Sequence, residues 1–404
     1  MQLRPHQQRV LDVMLQHRIG QVIVPTGGGK TACMIFDAMR QDAGTIVIVA
    51  PRILLAEQLS AEFLEFITDA EVMHVHSGET HHFSSTKPAE IYQWVRNNAD
   101  TKRLIFTTYN SLERVVDAGI PVATIYFDEA HNSVQRNFYI ATEAMSSIAR
   151  RCYFFTATPK HSLTPSKPGM NNPDVYGQVI EKVSAPELIQ GGYIIPPKVI
   201  TDKLPETING DIAGRDRNNL LNVIDNNESM EKVLICATKT KDIMRLVSQT
   251  DFAFELDRRG YSLMWITAKH GAFVDGKKVN REVFFDTLNA WGKEDSKKFV
   301  IIHHSILSEG INVSGLSACV MMRAMDYIGI AQTIGRVIRL HKDDAKGLRD
   351  GSIQPGNLSQ YTKSFGLVHI PVFSNVGIST AKKVQAVVDT IFQQGEPAIS
   401  VVRR

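Results

Sequence analysis

The chain has 404 residues, 43% of them hydrophobic and 22% charged, with a formal net charge of +3. This is an ordinary globular mix with room for two or three domains, and so small a basic surplus neither demands nor excludes a nucleic-acid partner. The four cysteines, Cys33, Cys152, Cys236 and Cys319, stand far apart with no Cys-x-x-Cys pair, and no apolar leader or run of about 18 apolar residues is present; zinc fingers, a disulfide framework, secretion and a membrane span are all disfavoured, and a cytoplasmic, intracellular protein is expected.

Short apolar runs at residues 21–24, 45–50, 103–107, 124–127 and 152–155 read as strands buried on both faces, with helical spacing at 31–40 and 54–66 between them. Such alternation predicts a doubly wound parallel sheet of the α/β class. A Pro-, Ser- and Asn-rich loop follows at 159–173, and the stretch 191–197, GGYIIPP, reads as a linker. The alternation then restarts, with strands expected at 233–237, 262–267, 299–303 and 318–322 and helices at 241–250, 281–292 and 327–340. Two α/β domains are therefore expected, at 1–197 and 198–404.

Between the first strand and the first helix lies VPTGGGKT, residues 24–31. Gly27 and Gly29 accept positive φ and let backbone amides close on a ligand, and the helix beginning near Lys30 adds the positive end of its dipole. Lys30 is placed to reach the β and γ phosphates of a nucleotide and the Thr31 hydroxyl to hold Mg²⁺. Asp128 and Glu129, in the segment IYFDEAH, stand at the end of a buried strand: an aspartate there holds a metal and its neighbour polarises an attacking water. The segment VLICATKTKDIMRLV repeats the strand–turn–helix order of the phosphate loop, but its turn, Ala237-Thr238-Lys239-Thr240, has no glycine and cannot wrap a phosphate closely.

Taken together, PTGGGKT and DEAH resemble superfamily 2 helicases of the DEAH-box type. Further segments fall in the order of that family. Leu3 to Gln7 resembles the adenine-sensing segment, with Gln7 as base reader. Ala50-Pro51-Arg52 and Thr107-Thr108-Tyr109-Asn110 resemble motifs Ia and Ib, and Thr156-Ala157-Thr158 motif III. Thr238-Lys239-Thr240 stands where motif IV belongs. Ser308 to Asn312 resembles motif V, and residues 332–339, QTIGRVIR, resemble motif VI. The LRPHQQ start and residues 174–197 resemble the branch containing phage UvsW-like branch-migration helicases and type III restriction helicase subunits.

The resemblance implies two tandem RecA-like domains with an ATP cleft between them: motifs Q, I, Ia, Ib, II and III on residues 1–197 and motifs IV, V and VI on 198–404. It implies ATP and Mg²⁺, held by Gln7, Thr26, Gly27, Gly28, Gly29, Lys30, Thr31, Asp128, Gly310 and Asn312. Glu129, Gln332, Arg336 and Arg339 would share the chemistry, the two arginines on one helical face. His131, Thr156 and Thr158 would couple hydrolysis to motion. Arg52, Thr108, Tyr109, Thr238, Lys239 and Ser308 would touch a nucleic-acid backbone, DNA in preference to RNA. The implied activity is an ATP-dependent DNA helicase or translocase; an RNA helicase and an ATP-gated clamp are the alternatives. His74, His76, His81 and His82 read as a polar loop rather than a zinc site. Pro173-Asp174 lacks the later Glu-x-Lys of a nuclease, since Lys182 directly follows Glu181, so no nuclease is expected.

Overall fold

The structure is a computed structural model that describes residues 3–164, 166–203, 210–227, 229–304, 315–372 and 375–402. The chain divides into two compact units. The first comprises Met1–Val183 with Pro397–Arg404, and the second Ser184–Glu396. The boundary thus falls before the expected 197/198 division, and the C-terminal residues rejoin the first unit. The expected linker is interior to the second unit: Ile194 and Ile195 are fully buried and the Ile195 N–H donates to the Ile338 carbonyl at 2.9 Å. The Gly-Gly pair marks a turn there and Pro197 opens a strand, while the two isoleucines between them are packed.

The first unit is built on β1 (Ile19–Ile23), β2 (Gly44–Ala50), β3 (Ala70–Val75), β4 (Phe83–Ser84), β5 (Lys102–Thr108), β6 (Thr124–Phe127), β7 (Arg151–Thr156), β8 (Lys160–His161) and β9 (Val179–Lys182). Eight of these form one sheet in the order β4-β3-β5-β2-β6-β7-β1-β9, with every pairing parallel. β8 pairs instead with the short strand Ser400–Val401, which draws the chain's end back to this unit. The central strands are continuous apolar runs because helices cover both faces: Ile46 to Ala50 and Leu104 to Phe106 have no exposed surface. Of the helices, α1 (Pro5–Gln16) opens on proline, whose fixed φ suits a first turn, and buries His6, Gln7, Val10, Leu11 and Met14 at helical spacing. α2 (Lys30–Met39) and α3 (Ile53–Leu64) follow β1 and β2.

The second unit carries β10 (Pro197–Lys203), β11 (Lys232–Cys236), β12 (Tyr261–Thr267), β13 (Gly271–Val274), β14 (Lys277–Val279), β15 (Lys298–His303), β16 (Ala318–Met321) and β17 (Gly366–Val372), in the order β10-β17-β16-β11-β15-β12-β13-β14. The sheet is parallel from β10 to β12 and ends in an antiparallel meander of β13 and β14. Both α/β units are therefore of the expected class. One helix is shorter than expected: it runs Tyr327–Val337, so Arg339 lies beyond its end and shares no helical face with Arg336. Among the described residues no helix is long and apolar enough to cross a membrane, and all four cysteines are buried and free.

Candidate nucleotide site

The phosphate-loop candidate is shaped by two left-handed glycines and braced from α1. Gly27 has φ 88° and Gly29 φ 84°, and Gly29 is the residue before the first turn of α2. A side chain at Gly29 would suffer the left-handed penalty and also collide with the Gln7 amide. The loop carbonyls are turned toward α1 and the residue preceding it. His6 Nε2 donates to Gly28 O at 2.8 Å, Gln7 Nε2 to Gly29 O at 3.3 Å and Arg4 Nη1 to Gly27 O at 3.4 Å. Gln7 Oε1 in turn accepts the Arg4 N–H at 2.9 Å. Gln7 thus braces the loop, a duty the base-reader expectation did not contain, and Arg4 and His6 are site residues that sequence reasoning missed. Their signal was proximity in LRPHQ, which identifies a segment but not which side chain grips the loop. The first amides of α2, following Gly29, have no acceptor within the helix and lie at its positive end.

The acid pair leaves β6 opposite this loop. Glu129 takes φ 45°, a left-handed conformation uncommon for a side-chain-bearing residue and one often retained at functional sites. It places Glu129 Oε1 3.1 Å from Lys30 Nζ, both groups being nearly enclosed. Glu129 Oε2 lies 3.6 Å from His131 Nδ1, and that same nitrogen is 3.0 Å from the Thr156 hydroxyl. Thr156 Oγ1 accepts the Thr158 N–H at 3.1 Å, and its carbonyl accepts the Val24 N–H at 3.0 Å. A continuous polar path therefore joins Lys30, Glu129, His131 and Thr156. The Thr158 hydroxyl is buried without a hydrogen-bond partner. Burial and the adjacent Glu129 carboxylate hold Asp128 well above the usual carboxylate range, with Lys30 acting against them. Two buried carboxylates side by side, with a half-buried Thr31 at the start of α2, form an oxygen donor set that suits Mg²⁺.

Two expected nucleic-acid contacts are corrected. Tyr109 is 2% exposed, packs on Phe127 and Phe138, and its hydroxyl donates to the Asp128 carbonyl at 2.8 Å. It props the acid pair from beneath. Thr108 is also buried, 3.4 Å from the Ser111 hydroxyl. Both residues end a central strand, where the parallel sheet is covered on both faces. Arg52, by contrast, is exposed immediately before α3.

In the second unit, Thr238 and Lys239 are exposed at the start of the helix Thr240–Gln249, and they line a groove of about 410 Å³ with Arg215, Lys241, Asp242 and Arg245. Gln332 and Arg336 are buried on the helix Tyr327–Val337; Gln332 Nε2 lacks a hydrogen-bond partner, as does the buried Nε of Arg323. Burial and the positive charges of Arg336 and Arg323 hold the imidazole of His303 neutral, far below the ordinary histidine value. Arg323 was not singled out in the sequence; an arginine just after a buried strand was its only signal. Ser308, Gly310 and Asn312 lie outside the described residues.

Residues 1–161 match the family described as "Type III restriction enzyme, res subunit". Among curated proteins none matches the chain. Similar solved structures include the ATP-dependent type ISP restriction–modification enzyme LlaBIII bound to DNA (16% identity, TM-score 0.73, covering 100% of this chain and 31% of that one). They also include a nuclease-deletion mutant of the type ISP enzyme LlaGI with a DNA substrate mimic (18%, 0.66, 99% and 30%). A third is the E. coli DExH-box NTPase HrpB (12%, 0.56, 93% and 42%). The chain spans about a third of the length of the two type ISP structures. At these identities the likeness is one of fold, and it covers both units. The res-subunit match thus covers the phosphate loop and acid pair, and the solved structures share the RecA-like α/β fold of the two units.

Proposed function

We propose that the chain is a nucleic-acid-stimulated ATPase that couples hydrolysis to translocation along, or remodelling of, DNA. The observation that carries this reading is the buried path from Lys30 through Glu129 and His131 to Thr156, since it links the phosphate loop to the acid pair and the strand end beyond it. In this reading the loop amides and Lys30 bind the β and γ phosphates, while Thr31 and Asp128 hold Mg²⁺. That ion, when bound, offsets phosphate charge. Lys30 is shared: a phosphate that draws its ammonium away frees Glu129 to orient and accept a proton from the attacking water. His131 and Thr156 carry that change toward Thr158, the coupling role. Gln332, Arg336 and Arg339 of the second unit are assigned to the same chemistry by the resemblance of residues 332–339 to motif VI alone.

DNA is preferred because two similar structures are described as bound to DNA or to a DNA mimic, and because the segment LRPHQQ resembles the DNA-acting branch. Arg52, Thr238 and Lys239 are the retained backbone contacts, which favours affinity with little base preference. The test is ATPase activity measured in parallel with single-stranded DNA, duplex DNA, forked DNA and RNA. Stimulation led by one of the DNA forms is expected. RNA preference overturns the substrate assignment; no stimulation by any of them replaces the motor with an ATP-gated clamp.

A further inference from the structure

His81 and His82 lie in a bend, but His74 and His76 do not belong to a polar loop. His74 lies on β3 with no exposed surface, and His76 follows it at 3% exposure. Their side chains converge with Glu57 of α3. Glu57 Oε1 is 3.0 Å from His74 Nδ1 and 3.1 Å from His76 Nε2, and the two nitrogens are 3.0 Å apart. Two imidazole nitrogens and one carboxylate oxygen thus form a near-equilateral triangle at the base of α3.

Two neutral rings bring only two protons to the three edges of that triangle. The Gly78 N–H donates to His76 Nδ1 at 3.2 Å, so a neutral His76 ring carries its proton on Nε2. That proton faces both His74 Nδ1 and Glu57 Oε1. His74 carries its own proton either on Nε2, toward the Ser60 hydroxyl at 3.0 Å, or on Nδ1, toward Glu57 Oε1. In each placement one edge of the triangle is left without a hydrogen bond of its own, around a buried Glu57 oxygen. A cation at the centre would bind all three atoms at once. An ion about 2.1 Å from each atom would see the three at roughly 90–95°, leaving further positions open.

We propose that Glu57, His74 and His76 bind one divalent transition-metal ion, with Zn²⁺ the best match to two imidazoles and a carboxylate. Outer contacts orient the ligands as such sites require: Ser60 holds the far nitrogen of His74, and the Thr80 hydroxyl donates to Glu57 Oε2 at 3.3 Å. Coordination through His76 Nε2 moves that ring's proton to Nδ1, so binding has to break the bond that Nδ1 accepts from the Gly78 N–H. The ion would pin α3, whose N-terminal flank is Arg52, to the strand beside it. This site is independent of the nucleotide reading and shares no residue with it.

The full-length protein loaded with Zn²⁺, desalted and measured by elemental mass spectrometry should retain about one ion per chain. Zn²⁺ at about 100 times its dissociation constant should raise Tm by roughly 5–10 °C. Glu57→Gln and His76→Ala should each lose the ion and the shift. Glu57→Gln, being near-isosteric and on a partly exposed side chain, serves as the variant that keeps its circular-dichroism spectrum. Lys30→Ala should keep both, which separates this site from a divalent ion at the phosphate loop. Failure to retain Zn²⁺ overturns the proposal, as does equal retention by wild type and Glu57→Gln.

Discussion

Glu129 combines a left-handed backbone, near-complete burial and a shared lysine, and each feature has a chemical consequence. Its conformation costs on the order of 1 kcal/mol or more, so the surrounding contacts must hold it in place. If it activates water, Glu129→Gln should keep ATP affinity and lower kcat by roughly 10²- to 10⁴-fold in single-turnover assays. Unchanged kcat would remove Glu129 from the chemistry. Tyr109 makes a contrasting case. Because its hydroxyl serves the Asp128 carbonyl, Tyr109→Phe should cost about 1 kcal/mol in urea unfolding while leaving nucleic-acid affinity at wild-type level. A weakened complex with normal stability would restore the surface role. That Lys30 would meet the Asp128–Glu129 pair was legible in the sequence because a phosphate loop and an acidic pair each follow a buried strand. Tyr109 was misread because a polar-tipped ring at a strand end is compatible with either solvent or core, and only packing against Phe127 and Phe138 decides between them. The Glu57, His74 and His76 convergence was invisible for a related reason: one ligand comes from α3 and two from β3 and its extension, with 16 intervening residues between Glu57 and His74.

At the scale of elements, strands and helices with strong apolar periodicity were found nearly to the residue, whereas ends set by tertiary contacts were not. β3 and β9 escaped notice because polar residues interrupt them and their strand character comes from pairing with β5 and β1. The helix Tyr327–Val337 illustrates the other limit: the apolar pattern continues through Ile338 and Leu340, yet the helix stops. Beyond its end, Lys363 Nζ donates to the Arg339 carbonyl at 2.9 Å and the Leu316 carbonyl at 2.7 Å, holding the arginine's backbone outside the helix. Enclosure of that ammonium, with Arg339 nearby, pushes Lys363 down to about 7. The folded value lies below the unfolded one, so between about pH 7 and the ordinary lysine range the unfolded chain binds a proton that the fold does not. Stability attributable to this group therefore rises with pH across that window. Urea midpoints taken from about pH 7 to 9.5 should climb more steeply in wild type than in Lys363→Met. Parallel slopes would show that Lys363 titrates normally. If Arg339, held in this way, stabilises phosphoryl transfer, Arg339→Ala should bind ATP normally yet lose about 10³-fold or more in kcat.

Over the whole molecule, two units share a parallel α/β plan but divide its uses. The turn after β1 has three successive glycines and can close on a phosphate; the corresponding turn after β11, Ala237 to Thr240, has none. What the second turn offers instead is charge, since Thr238 and Lys239 join Arg215, Lys241 and Arg245 around one groove, with Asp242 the acidic member. A net charge of only +3 gives no hint of this, because acidic residues elsewhere cancel it in the sum. Contacts of that kind bind through phosphate neutralisation, so they carry little sequence information and strong salt dependence. Lys239→Ala combined with Lys241→Ala should weaken DNA binding by a similar factor for unrelated sequences. It should also reduce the slope of log affinity against log salt by about 1 for each lost phosphate contact. Fluorescence anisotropy over a salt series reads both quantities, and ATP affinity measured alongside should not move, because neither lysine is among the residues assigned to the nucleotide. An unchanged salt slope with intact folding would mean that nucleic acid takes another path. The basic groove would then serve a different anion.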